Sequence, residues 1–220
     1  MREIHLKEID STQNYAKKLI LDKEKNFVVV SDIQTSGRGR NGHNWTSPFG
    51  GLWFSFDVNL ESKFLTLLIG IATKEVLKEE YKCELKIKWP NDLILDGKKV
   101  GGILCERIEN KVIAGIGINT NVKNIELNTA TSFFDKTNKT VDNLTIMRNI
   151  INKCKEFSNY SEDKIIDIFR DNMAYIGEEC FISSIQSKAK VLDINNEGKL
   201  IVETEEGIKE VNSGEISVCI

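Results

Sequence analysis

Two segments, Phe27-Val28-Val29-Val30-Ser31-Asp32 and Leu52-Trp53-Phe54-Ser55-Phe56, are β-branched or aromatic enough to be buried strands. The stretch between them is Gln34-Thr35-Ser36-Gly37-Arg38-Gly39-Arg40-Asn41-Gly42-His43-Asn44-Trp45. Arginines alternate there with glycines, so the backbone can bend closely around a ligand while fixed positive charges face it. Strand, basic loop, strand is an arrangement that builds sites, and this one suits a phosphate or a carboxylate. The same residues also describe a mobile surface turn. The loop lacks the Gly-Lys-Ser/Thr ending of a Walker motif, and its glycine spacing and strand-to-strand setting do not fit a dinucleotide fingerprint. A nucleotide bound here is bound by another architecture.

The chain around this loop reads as mixed α/β. A short strand at Ile4–Leu6 precedes Asp10-Ser11-Thr12-Gln13-Asn14, and Tyr15, Ala16, Leu19 and Ile20 follow at helical spacing. Ser11 and Thr12 therefore mark a helix start, where their hydroxyls either cap free amides or face a ligand. Apolar positions three and four residues apart predict an amphipathic helix from Ser62 to Tyr81. Leu85–Trp89 alternates as a strand, Pro90 ends its ladder, and Asn91 and Asp92 follow at the junction. Leu93–Leu95, the hairpin signal Asp96-Gly97 and a return strand from Lys98 to Glu106 come next. Alternation puts Lys98 with Val100 and Gly102 on one face and Lys99 with Gly101 and Ile103 on the other; it does not choose which lysine faces a cleft. Lys111–Asn119 reads as a buried strand, and Asn119 and Asn121 either contact a base edge or close an Asx turn.

Residues 123–141, with Ser132 among them, read only as a loop. Helices are predicted over Val141–Phe157 and Ser161–Asn172. From Tyr175 the texture changes to short alternating runs, Cys180–Ile182, Lys190–Ile194, Leu200–Val202 and Glu215–Val218, with turns at Asn195–Gly198 and Glu206-Gly207. This pattern predicts a small β-barrel of SH3 type. Two units follow: residues 1–174, carrying the site, and residues 175–220. A unit of about 45 residues makes a marginal core alone, so it is expected to dock on the larger one.

At 220 residues the chain supports one main core, and its net charge of −3 argues against general nucleic-acid binding, which needs a basic excess. Five cysteines, at 83, 105, 154, 180 and 219, show no paired short spacing, and two histidines make an ordinary zinc site improbable. Reduced thiols in a cytoplasmic protein are expected. The first residues, Met1–Glu8, lack the apolar centre of a signal peptide, and the apolar run at Leu65–Ala72 is too short to span a bilayer. Membrane association is not expected.

Four motifs occur together and in order: Gly37-Arg38-Gly39-Arg40 with Trp45, Lys88-Trp89-Pro90-Asn91-Asp92, Lys99-Val100-Gly101-Gly102-Ile103-Leu104, and Gly115-Ile116-Gly117-Ile118-Asn119. In these the chain resembles the biotin–protein ligases over essentially its whole length. The resemblance implies a mixed sheet flanked by helices, like class II aminoacyl-tRNA synthetases, with a small carboxy-terminal SH3-like barrel. It implies that biotin and ATP give biotinyl-5′-AMP and pyrophosphate, and that a lysine of a biotin carboxyl carrier protein then takes the biotinyl group. Ser11, Thr12, Gln13, Gln34, Gly37, Arg38, Gly39, Arg40, Lys99, Gly101 and Gly102 match biotin-binding positions. Arg38, Arg40, Trp45, Asn91, Asp92, Lys99 and Asn119 match ATP-binding positions, with Asp92 near Mg²⁺ and Lys99, Arg38 and Arg40 as the catalytic cations. The match selects Lys99 over Lys98. It departs at Gln13, where the family usually has Asn, with Asn14 one residue later. Several members carry an operator-binding domain ahead of the catalytic one; the sequence here starts almost at the catalytic domain, so neither a repressor function nor a DNA partner is expected, and a sheet edge leaves room for a homodimer. A lipoate or octanoate ligase of the same fold and a non-catalytic biotin-binding module are the competing readings.

Overall fold

The computed structural model describes residues 1–212, 214 and 216–218. Glu215, expected to open the last strand, and Cys219 lie outside the described residues. Eight strands form the larger sheet: β1 (Arg2–Ile9), β2 (Phe27–Arg38), β3 (Asn44–Ser47), β4 (Leu52–Val58), β5 (Lys86–Lys88), β6 (Asp92–Leu95), β7 (Lys98–Ile108) and β8 (Lys111–Ile118). Their order is β1-β2-β4-β8-β7-β6-β5, with β3 paired to β2. Among the described strand pairs only β1–β2 is parallel, and helix α1 (Thr12–Leu21) makes its crossover.

Period-two alternation sorts the central strands onto two faces. Val28 and Val30, Leu52, Phe54 and Phe56, and Ala114, Ile116 and Ile118 enter the main core with helices α2 (Leu65–Tyr81), α4 (Asn143–Phe157) and α5 (Glu162–Asp171). On the opposite face Phe27, Val29 and Ile113 pack against Ala16 and Ile20 of α1. Helix α1 is ten residues long, roughly 15 Å, and covers only part of that face. Beyond it the strands carry Ser55, Gly102, Gly115 and Gly117, which leave the sheet open to a ligand.

The carboxy-terminal segment forms a five-stranded antiparallel sheet of β9 (Glu179–Ile182), β10 (Ser187–Ile194), β11 (Leu200–Thr204), β12 (Gly207–Val211) and β13 (Ile216–Val218), in the order β12-β11-β10-β9-β13. It does not keep a separate interior. Cys180, Ile182, Val191, Leu200, Val202 and Val211 join the same apolar core as α2 and the larger sheet. Polar contacts fix the docking: Trp89 Nε1 donates to the Gly198 carbonyl at 3.0 Å, and Arg170 donates to Asp193 Oδ1 at 2.7 Å and to the Ile194 carbonyl at 2.9 Å.

Three differences from the sequence reading bear on the site. Strand β2 continues through Gly37 and Arg38, so the basic loop begins later than its glycines suggest; it is a 3₁₀ turn at Arg40–Gly42. Within residues 123–141 a short helix, α3 (Phe133–Thr137), is capped by the Ser132 hydroxyl, which accepts from the Asp135 amide at 2.9 Å. Strand β12 occupies a stretch read only as following a turn. Cys83, Cys105 and Cys154 are free thiols. No helix among the described residues is long and apolar enough to cross a membrane.

Candidate active site

The uncovered face of the sheet forms the floor of a cavity of about 890 Å³. Ser11, Thr12 and Gln13 reach it from the start of α1, Gln34 and Arg38 from β2, Arg40 from the 3₁₀ turn, and Trp45 from β3; residues 122–130 also line it. Ser11 caps α1, accepting from the Asn14 amide, and is itself wholly buried. Capping and facing a ligand are thus not alternatives for this helix start. Five cations, Arg38, Arg40, Lys88, Lys99 and Lys123, line the cavity against two carboxylates, Asp92 and Glu126. That excess favours an anionic occupant.

The choice between Lys98 and Lys99 is made by a β-bulge. Leu93 pairs with Gly101 but Ile94 pairs with Lys99, so Val100 is an extra residue in β7. The bulge shifts the alternation by one, and Lys99 shares its face with Gly102 rather than Gly101. A Cβ on Gly102 would lie 3.6 Å from Lys99 Cε and 3.4 Å from Trp45; one on Gly101 would instead lie 2.9 Å from the Gly117 carbonyl oxygen. Lys99 is held further by its backbone, whose N–H donates to the Thr129 carbonyl and whose carbonyl accepts from Thr131.

Asp92 is nearly buried and carries an ammonium on each oxygen: Lys99 Nζ at 2.8 Å and Lys88 Nζ at 2.9 Å. Lys99 Nζ also lies 4.9 Å from the centre of the Trp45 ring. The Trp45 indole lies so close to β8 that a Cβ on Gly117 would come within 2.7 Å of Nε1. Asn91 accepts from Arg40 at 3.0 Å and donates to the Ile103 carbonyl at 3.0 Å, so both ends of its amide are committed. Asn119 donates to the Thr131 carbonyl at 2.9 Å, which ties the 122–130 segment down. Arg40 additionally reaches the Gly214 carbonyl, between β12 and β13, at 3.4 Å.

The chain matches the Biotin/lipoate A/B protein ligase family over residues 6–123 and the biotin protein ligase C-terminal domain over residues 176–218. It is 31% identical to the bifunctional ligase/repressor BirA of Bacillus spizizenii, an alignment covering 96% of this chain and 72% of the relative. The chain belongs to the biotin protein ligase family. The biotin protein ligase of Aquifex aeolicus, solved in complex with biotin and ATP, superposes with a TM-score of 0.86 at 36% identity, covering 98% of this chain and 97% of that one. The biotin protein ligase of Leishmania major, at 24% identity and a TM-score of 0.72, shares the fold.

Among the residues expected to serve a biotin protein ligase, Ser11, Thr12, Gln13, Gln34, Arg38, Gly39, Arg40, Trp45, Asn91, Asp92, Lys99, Gly102 and Asn119 all line one cavity. Gly37 and Gly101 do not. A Cβ on Gly37 would lie 2.4 Å from the Trp45 carbonyl oxygen, so that glycine allows β3 to close on β2. Gly101 faces the other side of the sheet because of the bulge. Asp92, expected beside a metal, is occupied by lysines, and the described residues contain no group of three or more His, Cys, Asp or Glu side chains that could hold an ion. Asn14 turns outward to Asp10 at 2.8 Å, leaving Gln13 on the cavity floor. Sequence reasoning missed Ser55. Its signal was a small hydroxyl at an alternate position of the otherwise apolar Leu52–Phe56 run.

Proposed function

We propose that this cavity joins the carboxylate of biotin to the α-phosphate of ATP, releasing pyrophosphate, and passes the biotinyl group from biotinyl-5′-AMP to a lysine of a biotin carboxyl carrier protein. The observation that carries the reading is the convergence of Arg38, Arg40 and Lys99 on one cavity whose floor is polar and uncharged. Two anionic reactants approach one another in the first step, and fixed cations offset that repulsion as negative charge builds on the phosphate oxygens. Arg38 and Arg40 serve the phosphates. Lys99, aimed by Asp92, serves the carboxylate and the bridging oxygen. Trp45 and the 122–130 segment bound the nucleotide side, with Asn119 Oδ1 suited to accept from an adenine amine. The residues around Asp92 do not fit a metal held by the protein; a magnesium ion accompanying ATP would instead be held through the nucleotide. In the second step the carrier amine attacks the mixed anhydride and AMP leaves.

A lipoate or octanoate ligase would need an apolar floor where this chain presents Thr12, Gln13, Gln34 and Ser55. The deciding measurement is pyrophosphate release from ATP by the purified protein. Release with biotin, and none with lipoate, octanoate or no acid, is expected. Release with lipoate or octanoate in place of biotin would transfer the assignment to the acyl ligases, and none with any acid would leave only a binding module.

A further inference from the structure

The floor of the cavity is a chain of four buried or half-buried side chains whose hydrogen-bond polarity can be worked out from their partners. The Thr12 amide N–H donates to the Gln34 side chain at 2.8 Å, so the atom it meets is the carbonyl oxygen, and the Gln34 NH₂ turns to Ser47 Oγ at 2.7 Å. At the other end, Gln13 lies 2.8 Å from Glu106 Oε2. A carboxylate only accepts, so Gln13 presents its NH₂ there and its oxygen to the floor. Lys17 grips the remaining Glu106 oxygen at 2.8 Å.

Between these two fixed oxygens stand two hydroxyls. Thr12 Oγ1 is 3.0 Å from Gln34 Oε1, Ser55 Oγ is 2.9 Å from Gln13 Oε1, and the hydroxyls are 2.9 Å apart. These three contacts have two protons between them, because each hydroxyl donates once. If each serves the amide oxygen beside it, the hydroxyl pair meets lone pair to lone pair. The floor is short of donors, and it is buried: Thr12 and Gln13 are each 3% exposed and Ser55 is 0% exposed. Gly115 makes the arrangement sterically feasible, since a Cβ there would fall 2.5 Å from Gln13 Oε1.

We propose that Glu106, braced by Lys17, is a positioning residue that holds the Gln13 carboxamide oxygen inward and so keeps the floor short of donors, selecting a ligand head that supplies N–H groups. A cyclic urea does this; a dithiolane or an alkyl chain does not. The inference rests on the reading of biotin as substrate and adds the device that aims its recognition. Glu106 lies behind Gln13 and acts through it.

The test is steady-state adenylation with biotin and ATP for Glu106→Leu, Glu106→Gln and Gln13→Met. In Glu106→Leu the Gln13 amide is free to turn its NH₂ inward, and KM for biotin should rise about tenfold, the size associated with one mispaired buried polar group. The kcat and the KM for ATP should stay as in the wild type, as for loss of uniform binding. Glu106→Gln keeps an acceptor oxygen and should recover most of the affinity. Gln13→Met removes the inward oxygen without the outer pair and should raise KM for biotin likewise, which keeps the test open if Glu106→Leu fails to fold. A wild-type KM for biotin in Glu106→Leu or in Gln13→Met would overturn the proposal. So would a rise in both KM values with a fall in kcat, the mark of a merely structural role. Wild-type protein that releases no pyrophosphate with biotin would overturn the functional reading itself, a separate result.

Discussion

Asp92 lies between two ammonium groups, and the trio keeps a net positive charge at the point where, in the proposed reaction, a carboxylate and a phosphate would meet. The carboxylate does not cancel Lys99. It fixes the rotamer of a flexible four-carbon side chain whose Nζ also rests over the Trp45 ring, so less ordering remains to be done when substrates arrive. Lys99→Ala should slow biotinyl-adenylate formation by roughly a hundredfold, the scale for one placed charge donor, while Lys98→Ala, on an exposed residue, should not. Single-turnover formation of the adenylate measures both, and a near-normal rate in Lys99→Ala would remove it from the chemistry. Period-two alternation left these lysines unresolved because it assumes an unbroken ladder. One extra residue at Val100 reversed the faces, and a bulge has no composition cue beyond the neighbouring glycines. The same slip explains why Gly101 and Gly102, adjacent and chemically identical, do different work.

At the scale of elements, the strands that carry long apolar or alternating runs were legible, and those that exist by pairing alone were not. Phe27–Asp32 and Leu52–Phe56 announce β2 and β4 by composition, whereas β3 and the far end of β2 are set by the close approach of Gly37 to Trp45. Helix α3 is five residues long, below what local propensity sustains, and persists through the Ser132 cap and the stacking of Phe133 on Tyr81 at 3.9 Å. The edge strand β1 is anchored in a way no local pattern reveals: Arg148 of α4 donates to both oxygens of Glu3, at 2.7 Å each. That hydrogen bonding holds the Glu3 carboxyl at about 2, below its ordinary 4.5. A carboxyl with a depressed folded pKa adds stability above its unfolded value and loses it as the pH falls through the folded one. Arg148→Met should therefore lower the melting temperature slightly at neutral pH, by a small amount because the pair is exposed, and the difference should vanish as the pH approaches 2. Melting curves across that range measure it; a difference that persists in acid would assign the effect to packing.

For the whole molecule, chain length already argued that the carboxy-terminal segment needs a neighbour, since so short a unit buries too little surface to stand alone. The manner of docking was not legible, because its contacts join residues far apart in sequence, Trp89 with Gly198, Arg170 with Asp193 and Arg40 with Gly214. Their consequence is a single continuous core in which Leu200 of β11, wholly buried, belongs with Leu67 and Ile69 of α2. Arg40 extends that continuity to the cavity, so the carboxy-terminal segment holds a cavity-lining cation as well as the fold. If the core is one cooperative unit, a vacancy opened in the smaller sheet must lower the stability of the larger one by the same amount. Leu200→Ala should cost about 2–5 kcal/mol, the range for removing a buried leucine side chain. Urea titration distinguishes the alternatives, because Trp45, Trp53 and Trp89 all lie outside the smaller sheet and report by fluorescence, while far-ultraviolet circular dichroism reports the backbone of both. Coincident curves, displaced together to lower urea, are the expected result. A tryptophan transition left at its wild-type midpoint, with an earlier step seen only by circular dichroism, would mean that the two sheets unfold separately and that Arg40 depends on a partner it can lose.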